Sequence, residues 1–164
     1  MMEVVAREAI PPFERFYVAH RDEVLGYLRR LLGDRAEDAW QETFLRALRG
    51  YARLEHGRHL RAWVFTIATN VAMDSLRAKT DATSGLFQGS NGWDEAGAGE
   101  MRRDAFRELE HLTAELPPTE RAAVVLRYGY DLPYSDIGAA LGSSEEAARA
   151  AASSGVRRLR RSLA

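Results

Sequence analysis

The chain has 164 residues, of which 46% are hydrophobic and 29% charged, with 13 Gly, 5 Pro, no Cys and a net charge of −1. That length holds one ordinary domain or two small ones, and the missing cysteines exclude a disulfide scaffold, a thiolate metal site and a cysteine nucleophile. No apolar run approaches the roughly eighteen residues of a membrane span, and MMEVVAREAIPPF lacks the basic start and apolar stretch of a secretory signal, so a cytoplasmic protein without membrane insertion is expected.

Residues 1–12 read as an N-terminal tail ending in Pro11-Pro12. From Phe13 to Leu32 apolar residues recur at 13, 16, 17, 24, 27, 28, 31 and 32, one face of a helix, and Gly33 ends it. Asp34, with Glu37 three residues on, has the spacing of a capping box opening a second helix. Its predicted buried stripe is Ala36, Trp40, Phe44, Ala47, Leu48 and Tyr51. The polar stretch Glu55-His56-Gly57-Arg58 separates it from a third helix carrying Leu60, Trp63, Val64, Ile67, Ala68 and Val71. Thr66, Thr69 and Asn70 lie off that stripe, which predicts exposure for them. This three-helix unit covers residues 13–79.

Residues 80–100, TDATSGLFQGSNGWDEAGAGE, hold five glycines, four acids and no base, with no period: a flexible linker by composition. Leu86, Phe87 and Trp93 are too apolar for a pure spacer and suit docking on the chain itself or on a partner. A second helical unit spans 101–164. It opens with a helix from about Met101 to Glu115, and Pro118 stands well at the start of the next, Thr119 to Tyr128. After a turn at Gly129 to Pro133 come a short helix, Tyr134 to Leu141, a tight turn at Gly142-Ser143-Ser144, and a final helix to about Leu163. Short helix, glycine turn and longer helix form the pattern of a helix-turn-helix. No stretch alternates with period two, so the fold class is all-α, two small helical domains on a linker.

Charge is unevenly spread. Residues 1–79 carry 13 basic and 11 acidic side chains, and residues 101–164 carry ten and nine. Four of those bases are Arg157, Arg158, Arg160 and Arg161, and Lys79 is the only lysine. Catalysis has little to stand on. His56 and His59 have no third ligand spaced to join them, so no metal or cofactor is expected. Glu37, Asp38 and Glu42 have Arg35 and Arg46 within helical pairing distance. Phosphate-binding glycine loop and nucleophile elbow are both missing, which leaves no small-molecule substrate to propose. The third helix instead combines Trp63, Phe65, Thr66, Thr69 and Asn70 with Arg61, Arg77 and Lys79, groups able to stack on and hydrogen-bond unpaired bases.

At these residues the sequence resembles a known family. GDRAEDAWQETFLRALRGYARL followed by LRAWVFTIATNVAMDSLRAK resembles conserved region 2 of bacterial sigma factors of the small extracytoplasmic-function (ECF) type. LTAELPPTERAAVVLRYGYDLPYSDIGAALGSSEEAAR followed by RRLRR is similar to region 4 of that family. The order of the two segments and the dissimilar linker between them agree. The resemblance implies a non-catalytic, dissociable subunit of RNA polymerase that directs the core enzyme to promoters and assists melting. The alternative is a sigma-like helix-turn-helix regulator, or a degenerate paralogue without full promoter recognition.

The resemblance also implies site residues and partners. Asp38, Gln41, Glu42, Phe44, Leu45 and Arg49 fall on the helix that docks on the clamp helices of the largest core subunit, where one-sided charge aids encounter and specificity. The flap of core polymerase and an anti-sigma factor are further implied partners. Arg61, Trp63, Thr66, Asn70, Asp74 and Arg77 fall in the segment that opens the minus-ten element and captures a flipped base, which must repay a few kcal/mol of unstacking. Ser144, Glu145, Arg149, Ser153, Arg157 and Arg158 fall on the helix that enters the major groove at the minus-thirty-five element. That helix departs from the family, for Arg149 is its only base before Arg157, and Ala150 to Ala152 offer only apolar contact. Gly155 is expected to weaken it, and Gly138, where the family often has Ala, to loosen the turn.

Overall fold

A computed structural model describes residues 9–82 and 111–163, with side chains described through Ala78 in the first segment. Among these residues every regular element is helical. Residues 83–100 of the expected linker, with Leu86, Phe87 and Trp93, the side chain of Lys79, most of the helix expected from Met101 and most of the N-terminal tail lie outside the described residues, whereas the backbone of 80–82, where the linker was expected to begin, continues the helix that starts at Leu60. The chain is helical again at 111–113 and turns at 114–115.

Helix α1, Phe13–Leu32, starts after Pro12, whose extended backbone (φ −54°, ψ 144°) suits a helix entry. It stops at Gly33, where φ is 59°, a conformation that costs glycine nothing. A single 3-10 turn, Gly33–Arg35, leads into α2, Ala36–Tyr51. This corrects the capping-box expectation. Asp34 sits inside the 3-10 turn, and α2 has no side-chain cap, because α1 and α2 are joined too tightly for a separate start.

Helix α3, Leu60–Ala82, closes the first unit against both. Their shared interior holds Phe16, Val24, Leu28, Leu31, Phe44, Ala47, Val64 and Ala68. Trp40 donates its indole N–H to the Arg21 carbonyl at 2.9 Å, tying α2 to α1.

Leu48 is not in this interior. It is 53% exposed, beside Leu45 at 48%. The inward stripe of α2 runs through Ala36, Ala39, Thr43, Phe44 and Ala47, and at 100° per residue Leu48 falls past its edge. Thr69 shows the opposite correction. It is fully buried, donates to the Phe65 carbonyl at 2.7 Å and, with its one hydrogen spent there, accepts from Tyr27 Oη at 2.7 Å. That pair satisfies two polar groups inside the core, and burial pushes the Tyr27 phenol well above its ordinary pKa.

The second unit begins with α4, Pro118–Val124, which continues into a π turn, Val125–Gly129. The widened turn replaces the end of the uniform helix expected there. Helix α5, Tyr134–Ala140, and helix α6, Glu145–Ser162, follow. The turn between them is that of a helix-turn-helix. Gly142 has φ of 67°, the Ser143 N–H donates to Gly138 O at 2.8 Å, and Ser144 Oγ caps α6 by accepting from Ala147 N at 3.0 Å.

Two glycines set this geometry, and the expectation that Gly138 loosens the turn is corrected. A Cβ on Gly138 would stand 2.7 Å from the Ser144 carbonyl oxygen, so this glycine tightens the turn. A Cβ on Gly155 would stand 2.6 Å from Val124 Cγ2, so it lets α6 lie close on α4.

The two units also pack on each other, which periodicity does not reveal. Tyr130, from the second unit, is 3% exposed. Its ring meets Tyr27 and Phe65 of the first unit, with centroids at 5.8 and 5.2 Å. Arg30 Nη1 donates to Tyr130 Oη at 2.9 Å, and Arg61 Nη2 to Tyr130 O at 2.7 Å. Arg121, buried in the second unit, donates to the Leu31 carbonyl at 3.3 Å. Arg61 is in turn ion-paired with Glu23 of α1.

Two outcomes follow from this packing. In Gly138→Ala, a helix-propensity gain of about 1 kcal/mol opposes overpacking of about 1–3 kcal/mol against backbone that cannot rotate away. The urea midpoint should therefore fall, and an unchanged or higher one would show that the turn can yield. For Glu23, burial opposes the charge, but the His20 and Arg61 side chains outweigh it and hold its carboxyl below 4.5. A group with a lowered folded pKa stabilises above its unfolded pKa, and that stabilisation is lost as pH falls through the folded value. Thermal midpoints should accordingly drop on acidification below about pH 4.5, and Glu23→Gln should flatten that limb; an equally steep limb in the variant would assign the loss to other carboxylates.

Candidate nucleic-acid and partner interface

Three surfaces hold the residues singled out in the sequence. The first is the outer face of α2. Asp38, Gln41, Leu45 and Arg49 are exposed there, and Glu42 is half-exposed. Asp38, Gln41, Leu45 and Leu48 recur at three- and four-residue steps, so they form one stripe along the helix. It is acidic at its N-terminal end and apolar further along. Glu42 is held by Arg46 at 2.9 Å, and Arg46 Nη1 lies 3.8 Å from an oxygen of Asp74 on α3. Phe44 is buried, its ring 5.1 to 6.3 Å from those of Tyr17, Trp40 and Phe16. Phe44 therefore supports the stripe from beneath and does not stand on it. Leu48 takes its place on the outside; the missed signal is its three-residue spacing from Leu45.

The second surface runs along α3. Trp63 is half-buried, with its ring 5.7 Å from Phe16 and 6.3 Å from Tyr51. Thr66 Oγ1 donates to the Ala62 carbonyl at 2.9 Å, while Asn70 is exposed. Asp74 and Arg77 pair at 2.6 Å on the solvent side. Arg61 stands apart from these, spent on Glu23 and Tyr130 O. The α3 residues also face the second unit across two clefts. One, about 390 Å³, has Asn70, Met73, Leu76 and Arg77 on one wall and Pro118, Thr119, Ala140 and Leu141 on the other. The second, about 370 Å³, brings Trp63 and Thr66 opposite Asp136 and Ala139.

The third surface is α6. Ser144 is occupied as its cap, and Glu145 holds Arg149 at 3.3 Å. The Arg149 guanidinium lies 5.0 Å from the Tyr134 ring centroid, and that of Arg127 lies 4.7 Å from it. Each is a cation–π contact worth about 0.5–1 kcal/mol at an exposed site. Ser153 and Arg157 are exposed. Arg158 Nε sits 2.8 Å from Glu120 Oε2, while Ser154 Oγ donates to Glu120 Oε1 at 2.7 Å. Arg158 thus pairs α6 with α4 while its side chain stays about half exposed, and Arg157 is exposed beside it.

Two family models match the chain, one over each unit. The family model Sigma-70 region 2 matches residues 16–81, and Sigma-70, region 4 matches residues 114–161. The chain is 33% identical over 154 residues to RNA polymerase sigma factor CarQ of Myxococcus xanthus, covering 92% of this chain and 88% of that one. It is 30% identical over 173 residues to ECF RNA polymerase sigma factor BldN of Streptomyces coelicolor, covering 99% of this chain and 66% of the relative. In fold it is similar to the sigma factor RpoE from Bartonella quintana, solved in complex with the anti-sigma factor NepR, at a TM-score of 0.71 and 22% identity over 92% of this chain and 96% of that one. No helix among the described residues is long and apolar enough to cross a membrane. The chain belongs to the sigma-70 family, as an RNA polymerase sigma factor of the ECF type.

Proposed function

We propose that this sigma factor acts in the cytoplasm as a non-catalytic subunit that docks on core RNA polymerase through the outer stripe of α2. The observation that carries this reading is the stripe itself. Leu45 and Leu48 stand exposed on a helix whose inner face already has a full apolar stripe. Two leucines left in water beside Asp38, Gln41 and Glu42 suit a partner with an apolar groove and basic rim, because acidic groups steer the encounter and apolar ones supply buried area. The clamp helices of the largest core subunit are the partner the family membership supports, with the flap as the contact of the second unit and an anti-sigma factor as a competing one.

In the same reading Trp63, Thr66, Asn70, Asp74 and Arg77 handle the minus-ten element, with Asn70 meeting the extruded base. Arg61 joins them once its present partners release it. Helix α6 meets the minus-thirty-five element with Glu145, Arg149, Ser153 and Arg157, and Ser144 contributes through the helix start that it caps. With Arg149 tied to Glu145 and Arg158 to Glu120, this helix offers fewer phosphate contacts, which favours modest upstream affinity and a shallow salt dependence. The same observation favours the second reading, a paralogue that binds polymerase without full promoter recognition. Transcription by reconstituted holoenzyme on genomic DNA fragments, with transcript 5′ ends sequenced, separates the two. Discrete shared start regions support the first, and core binding without them supports the second.

Charge reversal at Asp38 and Glu42 with Leu48→Ala should weaken core binding at least tenfold, about 1.4 kcal/mol, with helicity by circular dichroism unchanged. Wild-type affinity in a folded triple variant would remove the stripe from the interface. Asn70→Ala should lower open-complex formation on duplex templates by about tenfold, the scale of one lost hydrogen-bonded contact to a base, with core affinity intact. If a pre-melted template shows an equal defect, Asn70 reads the base and does not assist opening.

A further inference from the structure

From Glu145 to Ser153, Arg149 is the only cation on the exposed side of α6. Arg157 stands eight residues further on, about 12 Å along the helix axis and about 80° around it, so it does not share the place of Arg149 in a groove. What this helix can read therefore turns on how one guanidinium is held. A long side chain that must be ordered at a base gives up part of the affinity its contact returns.

Arg149 is already ordered. Its guanidinium carbon lies over the Tyr134 ring, 5.0 Å from the centroid, and its Nη2 donates to Glu145 Oε1 at 3.3 Å. Contact with a ring uses no N–H group, and the Glu145 bond uses one of the five that arginine has, so most of the fork is left to donate. Tyr134 opens α5, and its ring is placed by the same close turn that sets the start of α6. That ring carries a second cation. Arg127, from the π turn, has its guanidinium carbon 4.7 Å from the centroid and donates to the Leu132 carbonyl at 3.2 Å. Arg127 has no ion pair among the described residues. The two cations thus differ in surroundings. The carboxylate beside Arg149 repels a phosphate but not the edge of a base, whereas the charge of Arg127 is uncompensated and suits a phosphate.

We infer that Tyr134 is a specificity-determining positioning residue: its ring holds the Arg149 guanidinium ready for a guanine in the major groove and, beside it, holds Arg127 as the anchor for a neighbouring phosphate. The inference rests on the assignment of α6 to the minus-thirty-five element. Guanine is the base that offers two adjacent acceptors, O6 and N7, to an arginine fork. An arginine held in advance loses less on binding, so one such group supports a marked preference at one base pair. Ala150 and Ser153, exposed next to it, have no fork to add. The upstream element is read as a single guanine by a helix that the phosphates position.

The test uses holoenzyme built from core polymerase and the full chain. A promoter fragment from one of the start regions used on genomic DNA is randomised over the minus-thirty-five element, and the DNA that holoenzyme retains is sequenced. The native chain should enrich guanine at one position by about tenfold, the scale of one bidentate base contact. Tyr134→Leu should lower that enrichment about threefold, the scale of one exposed cation–π contact, with core affinity intact. Tyr134→Phe, which keeps the ring, should restore it. Arg149→Lys should lose the preference, and adding Tyr134→Leu to it should change nothing more, because the ring acts through the guanidinium. Arg127→Gln should weaken all fragments alike and lower the salt slope by about one. An equal loss in Tyr134→Phe would assign the effect to the hydroxyl. Full preference in a folded Leu variant, or a further loss in the Arg149→Lys background, would show that the ring does not act through Arg149. Each of these overturns the inference. Should the Leu variant not fold, Tyr134→Phe and Arg149→Lys still decide it, since the first must keep the preference and the second must lose it. A flat profile across the element, with discrete start regions intact, would overturn the guanine reading and leave the sigma-factor function standing. The absence of any discrete start region would remove the promoter assignment itself, and the inference with it.

Discussion

Everything in this molecule is arranged around α3, a helix with two buried sides. One side completes the first unit through Val64, Ala68 and Val71, and the other meets the second unit through Phe65. A helix packed on one side needs only one apolar stripe, whereas one packed between two bodies needs apolar residues over most of its circumference. Thr69 belongs to the same logic, since a hydroxyl in that position is tolerated only because Tyr27 and the Phe65 carbonyl satisfy it. The residues left facing outward, such as Asn70, Asp74 and Arg77, are few and clustered. Functional chemistry on α3 is confined to that remaining strip.

The helix-turn-helix obeys a different constraint, close approach of backbone. Gly138 admits the Ser144 carbonyl, and Gly155 admits Val124, so both glycines exchange helix propensity for proximity. Proximity then fixes where α6 projects. Its inner face reaches Glu120 through Ser154 and Arg158, and its first turn is capped by Ser144. The small residues along α6, among them Ala148 and Ala152, are buried contacts, so part of the alanine run is explained by packing. What is exposed before Arg157, chiefly Glu145, Glu146, Ala147, Arg149, Ala150 and Ser153, is a sparse reading surface with a single positive charge.

Arginine usage ties these observations together. Several arginines that look available in sequence are spent within the fold: Arg30 and Arg61 on Tyr130, Arg121 on backbone carbonyls, Arg158 on Glu120. Guanidinium suits such work because its fixed fork satisfies several acceptors at once and stays charged when partly buried. Arg121 illustrates the cost, as burial lowers its pKa from the ordinary arginine value. Counting bases along the chain therefore overstates the charge available to nucleic acid.

The sequence by itself determined the helices of the described residues, the helix-turn-helix and the family, because each depends on local signals: apolar spacing at 3.6 residues, prolines confined to helix starts, and glycine after helix ends. It also placed Asp38, Gln41, Leu45 and Asn70 on exposed positions, since their neighbours already filled the inward stripes. Phe44 and Leu48 both stood in the expected inward stripe, yet only Phe44 is buried, because Leu48 lies at the stripe's edge and the positions of α1 and α3 decide that it turns outward. Gly138, Gly155 and Tyr130 were not legible, for what each touches lies between 6 and 103 residues away in the chain. The tertiary structure alone decided that the two units meet, and with it which arginines remain available. Contacts between separate units leave no period in either one, so their record exists only in three dimensions.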